Sequence, residues 1–248
     1  MPIFIDKPKG YTPLELVKKY KKEKLIKKEK VCYAGRLDPM AHGKMILLKG
    51  MECKETTKYC NLNKTYHFTV LFGFETDTYD LLGKVINSFP ISLDKISLKK
   101  YVKKFKQPYP SYSSFIIRHN EERRPIWEWT KMGKLSELTV PTKEVEIFSL
   151  EEIENEETIE SYIELKKYIF KNINLLSEEN HKKFRVKEIL EKWTEIFKEI
   201  DLSKIPVIRK FRARVSSGTY IRSLTNHIGQ EYGCGAITLD IERVNIEI

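Results

Sequence analysis

From Tyr66 onward apolar side chains recur at every second position, with Tyr66, Phe68, Val70 and Phe72 on one side and Thr65, His67, Thr69 and Leu71 on the other. Successive strand residues point to opposite faces, so this alternation predicts a β-strand starting near Tyr66, with one apolar face that a second layer must cover. A second strand is expected at 211 to 215, where Phe211, Ala213 and Val215 face one way and Arg212 and Arg214 the other. Ser216-Ser217-Gly218-Thr219 then turns the chain into a helix whose buried stripe is Ile221, Leu224, Ile228 and Tyr232, with Gly233 as its stop.

Thr12-Pro13-Leu14-Glu15 has the pattern of a capping box, so another helix is expected to begin there and to run into the lysine-rich stretch at 18 to 30. That density of lysines suits a solvated face and equally a surface that tracks a phosphate backbone. Residues 151 to 206 are rich in Glu and Lys and poor in Gly. Within them Val186, Ile189, Leu190, Trp193, Ile196, Phe197 and Ile200 recur at spacings of three and four, the period of an amphipathic helix, and an earlier helix is expected around Ile159, Tyr162, Ile163, Ile169 and Phe170. With 248 residues the chain has room for one substantial core, or one core with an appended lobe.

The net charge of +10 suits a polyanionic partner, although a merely solvated basic surface accounts for it as well. No apolar run approaches the roughly 18 residues that a membrane span needs, and MPIFIDKPKG lacks the features of a secretory signal, so an intracellular, cytoplasmic protein with no membrane contact is expected. Cys32, Cys53, Cys60 and Cys234 show neither C-x-x-C spacing nor a flanking histidine pair, which favours reduced thiols and no metal.

Two short segments bear on chemistry. In GRLDPMAHG (35 to 43), Asp38 precedes a proline; the plain reading is a helix N-cap, with Pro39 as the first helical residue. In GTYIRS (218 to 223), Arg222 falls in the first turn of the expected helix, where a cation opposes the macrodipole. If partly buried, Arg222 needs a carboxylate partner.

In order, DKPKGYT (6 to 12), GRLDPMAHG (35 to 43), NKTYHFTVLFGFETDTYDLLGKV (63 to 85), YPSYSS (109 to 114) and RVSSGTYIRSLTNHIGQEYGCGAITLDIERV (214 to 244) resemble the successive motifs of the TruB-type tRNA pseudouridine synthases. GRLD alone marks only the wider superfamily; its order with K-T-Y, T-D-T-x-D and G-T-Y-I-R singles out this family. The resemblance implies an α+β fold, a mixed, largely antiparallel sheet flanked by helices with an RNA-binding cleft. The whole chain, 1–248, would be one catalytic domain carrying a helical insertion at 151–206.

It also implies an isomerase without cofactor or metal, a monomer that converts a specific uridine of a structured RNA to pseudouridine, the TΨC-loop uridine of tRNA being the leading substrate. By the same resemblance Asp38 is the catalytic carboxylate, Tyr66 stacks on the flipped base and helps remove the C5 proton, and Arg222 pairs with Asp38. Tyr33, Tyr220 and Ile241 line the substrate pocket, and Arg36, Lys64 and Arg243 contact RNA. An alternative is an RNA-binding or RNA-folding protein on the same scaffold with little catalysis.

The chain departs from the family pattern in several places. Tyr33 stands where a histidine is usual, Pro13 where a serine is usual, Ile116 where a lysine is common, and Asn226-His227 replaces an acidic pair. The sequence stops at Ile248, where bacterial members continue into a PUA RNA-binding domain, so that domain is expected to be absent.

Overall fold

The computed structural model describes residues 1–89, 91, 93, 96–154 and 159–248. In chain order its first half is built from β1 (Ile3–Lys7), α1 (Pro13–Glu23), β2 (Val31–Ala34), β3 (Ala41–Lys49), α2 (Thr56–Cys60), β4 (Lys64–Phe72), β5 (Phe74–Thr76), β6 (Val85–Ser88) and β7 (Lys104–Pro108). There follow β8 (Ile116–His119), β9 (Glu122–Pro125), α3 (Ile126–Lys131), β10 (Thr142–Ile153), α4 (Tyr162–Ile173), α5 (Glu178–His181), α6 (Val186–Glu199), β11 (Ile208–Val215), α7 (Ile221–Glu231) and β12 (Ala236–Ile246).

Eight strands form one sheet in the order β1-β3-β12-β4-β11-β10-β7, with β2 also paired to β3. All pairings are antiparallel except β3 with β12, the mixed, largely antiparallel sheet expected of an α+β protein. The alternation in β4 sorts its residues onto the two faces. Tyr66, Phe68, Val70 and Phe72 join Phe211, Ala213 and Val215 of β11 and Ile221, Leu224 and Ile228 of α7 in one core. Leu71 joins a second core on the other side. Register then sets neighbours for the site, because Tyr66 lies opposite both Ala213 and Arg243.

The second core is where the lobe docks. Leu165, Ile169 and Ile173 of α4 and Val186, Ile189, Trp193 and Phe197 of α6 pack with Leu71, Phe74, Ile237 and Leu239. Trp193 is held between aromatic neighbours, Phe74 at 5.3 Å and Phe197 at 5.5 Å between ring centroids. The apolar stripe of α6 therefore packs mainly into this second core. The lobe also reaches the turn before α1: Gly10 has φ 86, and a β-carbon there would lie 2.5 Å from the Leu175 carbonyl oxygen. Only glycine tolerates both that dihedral and that approach.

Three sequence expectations need correction. The capping box of α1 is present, with Thr12 N–H donating to Glu15 Oε2 at 2.7 Å and Glu15 N–H to Thr12 Oγ1 at 3.2 Å, but the helix ends at Glu23. Leu25 has φ 53, which breaks the helical path, so the lysines beyond it are not on a helix. Pro39 starts no helix; it occupies a turn closed by Ala41 N–H to the Asp38 carbonyl at 3.0 Å, which delivers the chain into β3. Residues 151 to 153 belong to β10, so the helical part of the 151–206 segment starts later, and 155–158 lie outside the described residues. Among the described residues no helix is long and apolar enough to cross a membrane.

Candidate active site

A cleft of about 620 Å³ opens beside the turn that follows β2, and Asp38, Tyr66, Tyr220, Arg222, Ile241 and Tyr33 all contribute to its walls. Asp38 comes from the turn before β3, Tyr66 from β4, and Arg222 from the first turn of α7. Nearly the whole chain is needed to assemble them. Arg222 Nε donates to Asp38 Oδ2 at 2.9 Å across 184 residues of sequence.

The two partners differ in environment. The Asp38 side chain keeps 32% of its surface open to the cleft, whereas that of Arg222 keeps 4%. The two terminal nitrogens of Arg222 donate to the Thr78 carbonyl at 2.9 Å and the Tyr112 carbonyl at 3.3 Å. No acidic residue occupies the first turn of α7, so the compensation that its N-terminal cation needs comes from outside the helix. Burial works against the Arg222 charge, but the carboxylates of Asp38 and Asp80 more than offset it and hold its pKa above the usual arginine value.

Asp80 is a site residue that sequence reasoning passed over, although it closes the T-D-T-x-D motif. It accepts from Thr78 Oγ1 at 2.6 Å and from Leu82 N–H at 2.9 Å. Burial pushes its pKa up to about 6 against the pull of Arg222. A carboxyl whose folded pKa exceeds its unfolded value of 3.8 stabilises the fold in its protonated form, and that contribution is lost as pH rises through about 6. Asp80→Asn keeps the acceptor oxygen and cannot ionise. Relative to it, the unaltered protein should lose stability between pH 4 and pH 6, measured as the difference between the two unfolding curves across pH; a pH-independent difference would show that Asp80 does not titrate there.

Lys7 was also passed over. It is 1% exposed and donates to the carbonyls of Pro8 at 2.8 Å, Tyr11 at 2.6 Å and Pro39 at 3.2 Å, tying the first motif to the residue after Asp38. Burial brings its ammonium down to about 7, against the attraction of Asp38 and Glu15.

The expected RNA contacts divide. Arg36 is exposed and lies against Tyr33, donating to its hydroxyl at 2.9 Å. Arg243, by contrast, is 2% exposed. Its Nε donates to the Tyr66 hydroxyl at 3.1 Å, and its two terminal nitrogens donate to the carbonyls of Gly35 at 2.9 Å, Lys44 at 3.3 Å and Arg36 at 2.8 Å. Every nitrogen is engaged within the protein, so these bonds and its burial orient Arg243 toward Tyr66 and the loop before Asp38 rather than toward the open cleft. Lys64 is buried too, donating to the carbonyls of Cys60 and Leu62, and burial brings its pKa down to about 8. Tyr220 hydrogen-bonds Ser113 Oγ at 2.8 Å and stands edge-on to Tyr109, while Ile241 supplies apolar wall.

One rim of the cleft comes from α3 and from the α5 end of the lobe, through Trp127, Lys131, Lys183, Phe184 and Arg185. The Trp127 ring has the Lys131 ammonium at 5.2 Å and that of Lys183 at 5.8 Å from its centroid, and Lys131 Nζ also donates to the Lys183 carbonyl at 2.6 Å. Burial, with Arg185 and Lys183 nearby, lowers the Lys131 pKa. Among the described residues no group of three or more His, Cys, Asp and Glu side chains could hold a metal ion.

Residues 22–170 match the model of the TruB family pseudouridylate synthase N-terminal domain. The chain is 31% identical over 249 residues to tRNA pseudouridine synthase B of Aquifex aeolicus, covering 99% of this chain and 68% of that protein. It is 30% identical to tRNA pseudouridine synthase B of Fusobacterium nucleatum, covering 98% and 67% respectively. Among solved structures it resembles a chain of a Cbf5-Nop10-Gar1 complex with a TM-score of 0.53 and 18% identity, over 99% of this chain and 48% of that one. A chain of an archaeal box H/ACA sRNP Nop10-Cbf5 complex gives a TM-score of 0.51 and 16% identity, over 99% and 47%. The chain thus spans about two thirds of the curated relatives' length and just under half of the solved chains'. At this identity the structural matches speak to the fold alone.

Proposed function

Because the chain belongs to the TruB family of pseudouridylate synthases, we propose that it isomerises a uridine of a structured RNA to pseudouridine, the TΨC-loop uridine of tRNA being the preferred substrate. The observation that carries the reading is a carboxylate open to a cleft on one side and bonded on the other to a buried arginine. Asp38 starts the reaction on the sugar, by attack or by proton abstraction, and the N1–C1′ bond breaks. The uracil turns and rejoins through C5, the C5 proton leaves, and N1 regains one, so that the product is an isomer of the substrate. Tyr66, aimed by Arg243, faces the base and is placed to assist at C5.

A uridine within a folded loop must be extruded to reach Asp38, at a cost of a few kcal/mol, and an aromatic wall returns about 1–3 kcal/mol by stacking. Tyr33, Tyr220 and Ile241 complete the pocket for the extruded base. We take the chain as a single catalytic unit working as a monomer inside the cell, with the lobe as an insertion that adds one rim to the cleft. The test is to incubate the purified protein with transcribed tRNA and map pseudouridine at nucleotide resolution. A new pseudouridine in the TΨC loop is expected; binding without conversion of any uridine would leave only the RNA-binding reading.

The lobe rim makes a second expectation specific. Lys131 and Lys183 both lie close to Trp127 at the cleft mouth and suit the phosphates next to a base stacked there. Lys131→Gln with Lys183→Gln should weaken RNA binding and reduce the slope of log affinity against log salt by about 1–2, since each phosphate contact contributes about 0.7–0.9. The melting temperature should change little. Arg185 must stay out of this set, because it is tied into the fold. Unaltered salt dependence would return the rim to a purely structural role.

A further inference from the structure

Arg185 lies in none of the motifs, yet it is a side chain by which the lobe grips the loops that seat Arg222. It precedes the first residue of α6 with φ 56 and ψ 35, left-handed backbone that a residue with a β-carbon adopts only when its surroundings enforce it. The enforcing contacts are specific. Nη1 donates to Asp77 Oδ2 at 2.6 Å and Nη2 to Asp77 Oδ1 at 3.1 Å, a two-pronged pair. The guanidinium also lies over the Tyr112 ring, 4.6 Å from its centroid. Asp77 in turn accepts from Lys84 N–H at 3.0 Å and from the Tyr112 hydroxyl at 3.3 Å. Both terminal nitrogens thus serve Asp77 and one face is covered by Tyr112, and only 14% of the side chain is exposed, which argues against a phosphate contact.

The two residues that Arg185 grips bear on Arg222. The Thr78 carbonyl, next to Asp77, accepts from Arg222 Nη1 at 2.9 Å, and the carbonyl of Tyr112 itself accepts from Nη2 at 3.3 Å. With those two nitrogens fixed, the third, Nε, is aimed at Asp38. We propose that Arg185 is a positioning residue, through which the docked lobe holds the 77–80 loop and Tyr112 in the arrangement that presents Arg222 to Asp38. The proposal rests on the reading of Asp38 and Arg222 as the working pair.

Its test uses the full chain and four variants, Arg185→Gln, Arg185→Lys, Asp77→Asn and the Arg185→Gln/Asp77→Asn double, each measured for single-turnover rate at saturating tRNA, RNA affinity and melting temperature. Arg185→Gln should slow the single-turnover step by about 10-fold or more, since small misplacement at a distance costs rate, while RNA affinity stays within about 3-fold. Arg185→Lys, which keeps the charge, should recover part of the rate. The double variant should be no slower than the worse single one, because the two side chains act through each other. Ile189→Val, which thins the lobe's packing one helical turn beyond Arg185 while leaving the Arg185 and Asp77 side chains in place, controls for stability and should lower the melting temperature without slowing the step.

A rate loss in Ile189→Val like that of Arg185→Gln, or weakened affinity at unchanged rate in Arg185→Gln, would overturn the proposal. A crystal structure of Arg185→Gln provides a readout independent of activity. The Arg222 Nε to Asp38 contact should be broken or lengthened there, and an unchanged pair would overturn the proposal even if no uridine were converted by any form of the protein. Inactivity of the unaltered protein, in contrast, would count against the proposed function and not against the coupling.

Discussion

Asp38→Asn will abolish turnover while RNA affinity stays close to that of the unaltered protein and the chain still folds, with a smaller stability loss than Arg222→Leu. The amide has nearly the shape of the carboxylate, and its oxygen can still accept from Arg222 Nε, which is bonded to Oδ2 at 2.9 Å in the native pair. The Arg222 guanidinium keeps its two backbone carbonyl partners as well, so α7 stays seated. The loss falls on the reacting group, because an amide neither attacks the sugar as a nucleophile nor takes a proton from it at neutral pH. The single-turnover rate at saturating tRNA should fall at least about 100-fold, which corresponds to about 2.7 kcal/mol of transition-state stabilisation. Pseudouridine formed at more than about a hundredth of the native rate, with contamination by native enzyme excluded, would remove Asp38 from its role.

The local elements were legible wherever one physical period dominated. The two-residue alternation in β4 and β11 and the three-to-four spacing of the apolar residues in α6 each identify an element, because each pattern buries one face and exposes the other. The capping box at Thr12 and the stop at Gly233, which has φ 67, were legible for the same kind of reason, since each satisfies a defined set of backbone groups. The lysine run misled because composition has no period. Nothing in it revealed that Leu25 would leave the helical region.

Long-range chemistry was far less legible. Asp38 and Arg222 are 184 residues apart, and the residues alone indicated only that a buried cation in the first turn of a helix needs a partner; the identity of that partner came from the resemblance. Sequence also cannot say whether a cation will spend its donors on phosphates or on carbonyls. Arg243 and Lys64 lie in family motifs just as Arg36 does, yet burial directs their donors inward and leaves only Arg36 of the three open. The tie between Asp77 and Arg185 was missed for a related reason. Their pairing depends on how the lobe docks, and that is set by α4 and α6 packing on the sheet, not by either residue's neighbours in sequence.

Arg222→Leu should both destabilise the protein and eliminate activity. Leucine fills much of the volume but has no donor, so the Thr78 and Tyr112 carbonyls lose their hydrogen bonds and Asp38 loses its counter-charge. Removing one side of a buried pair costs about 3–5 kcal/mol, and here the low end applies to the pair itself because a third of Asp38 remains open to water. Asp80 adds to the loss. It is buried, and the Arg222 charge is the largest influence holding its pKa down to about 6, so without that charge the pKa should rise further. A carboxyl with a raised folded pKa stabilises the fold when protonated and destabilises it when ionised. The stability deficit of Arg222→Leu should accordingly be smaller near pH 5 and grow toward pH 8. Arg222→Lys restores a charge without the three-way fork, so it should recover part of the stability and little of the rate, since a single ammonium cannot hold both carbonyls and still present a donor to Asp38. Denaturant unfolding of both variants at the two pH values, alongside single-turnover rates, separates these effects. Native stability in Arg222→Leu, or a deficit that shrinks as pH rises, would mean that the buried carboxylates around this arginine are compensated by something other than its charge.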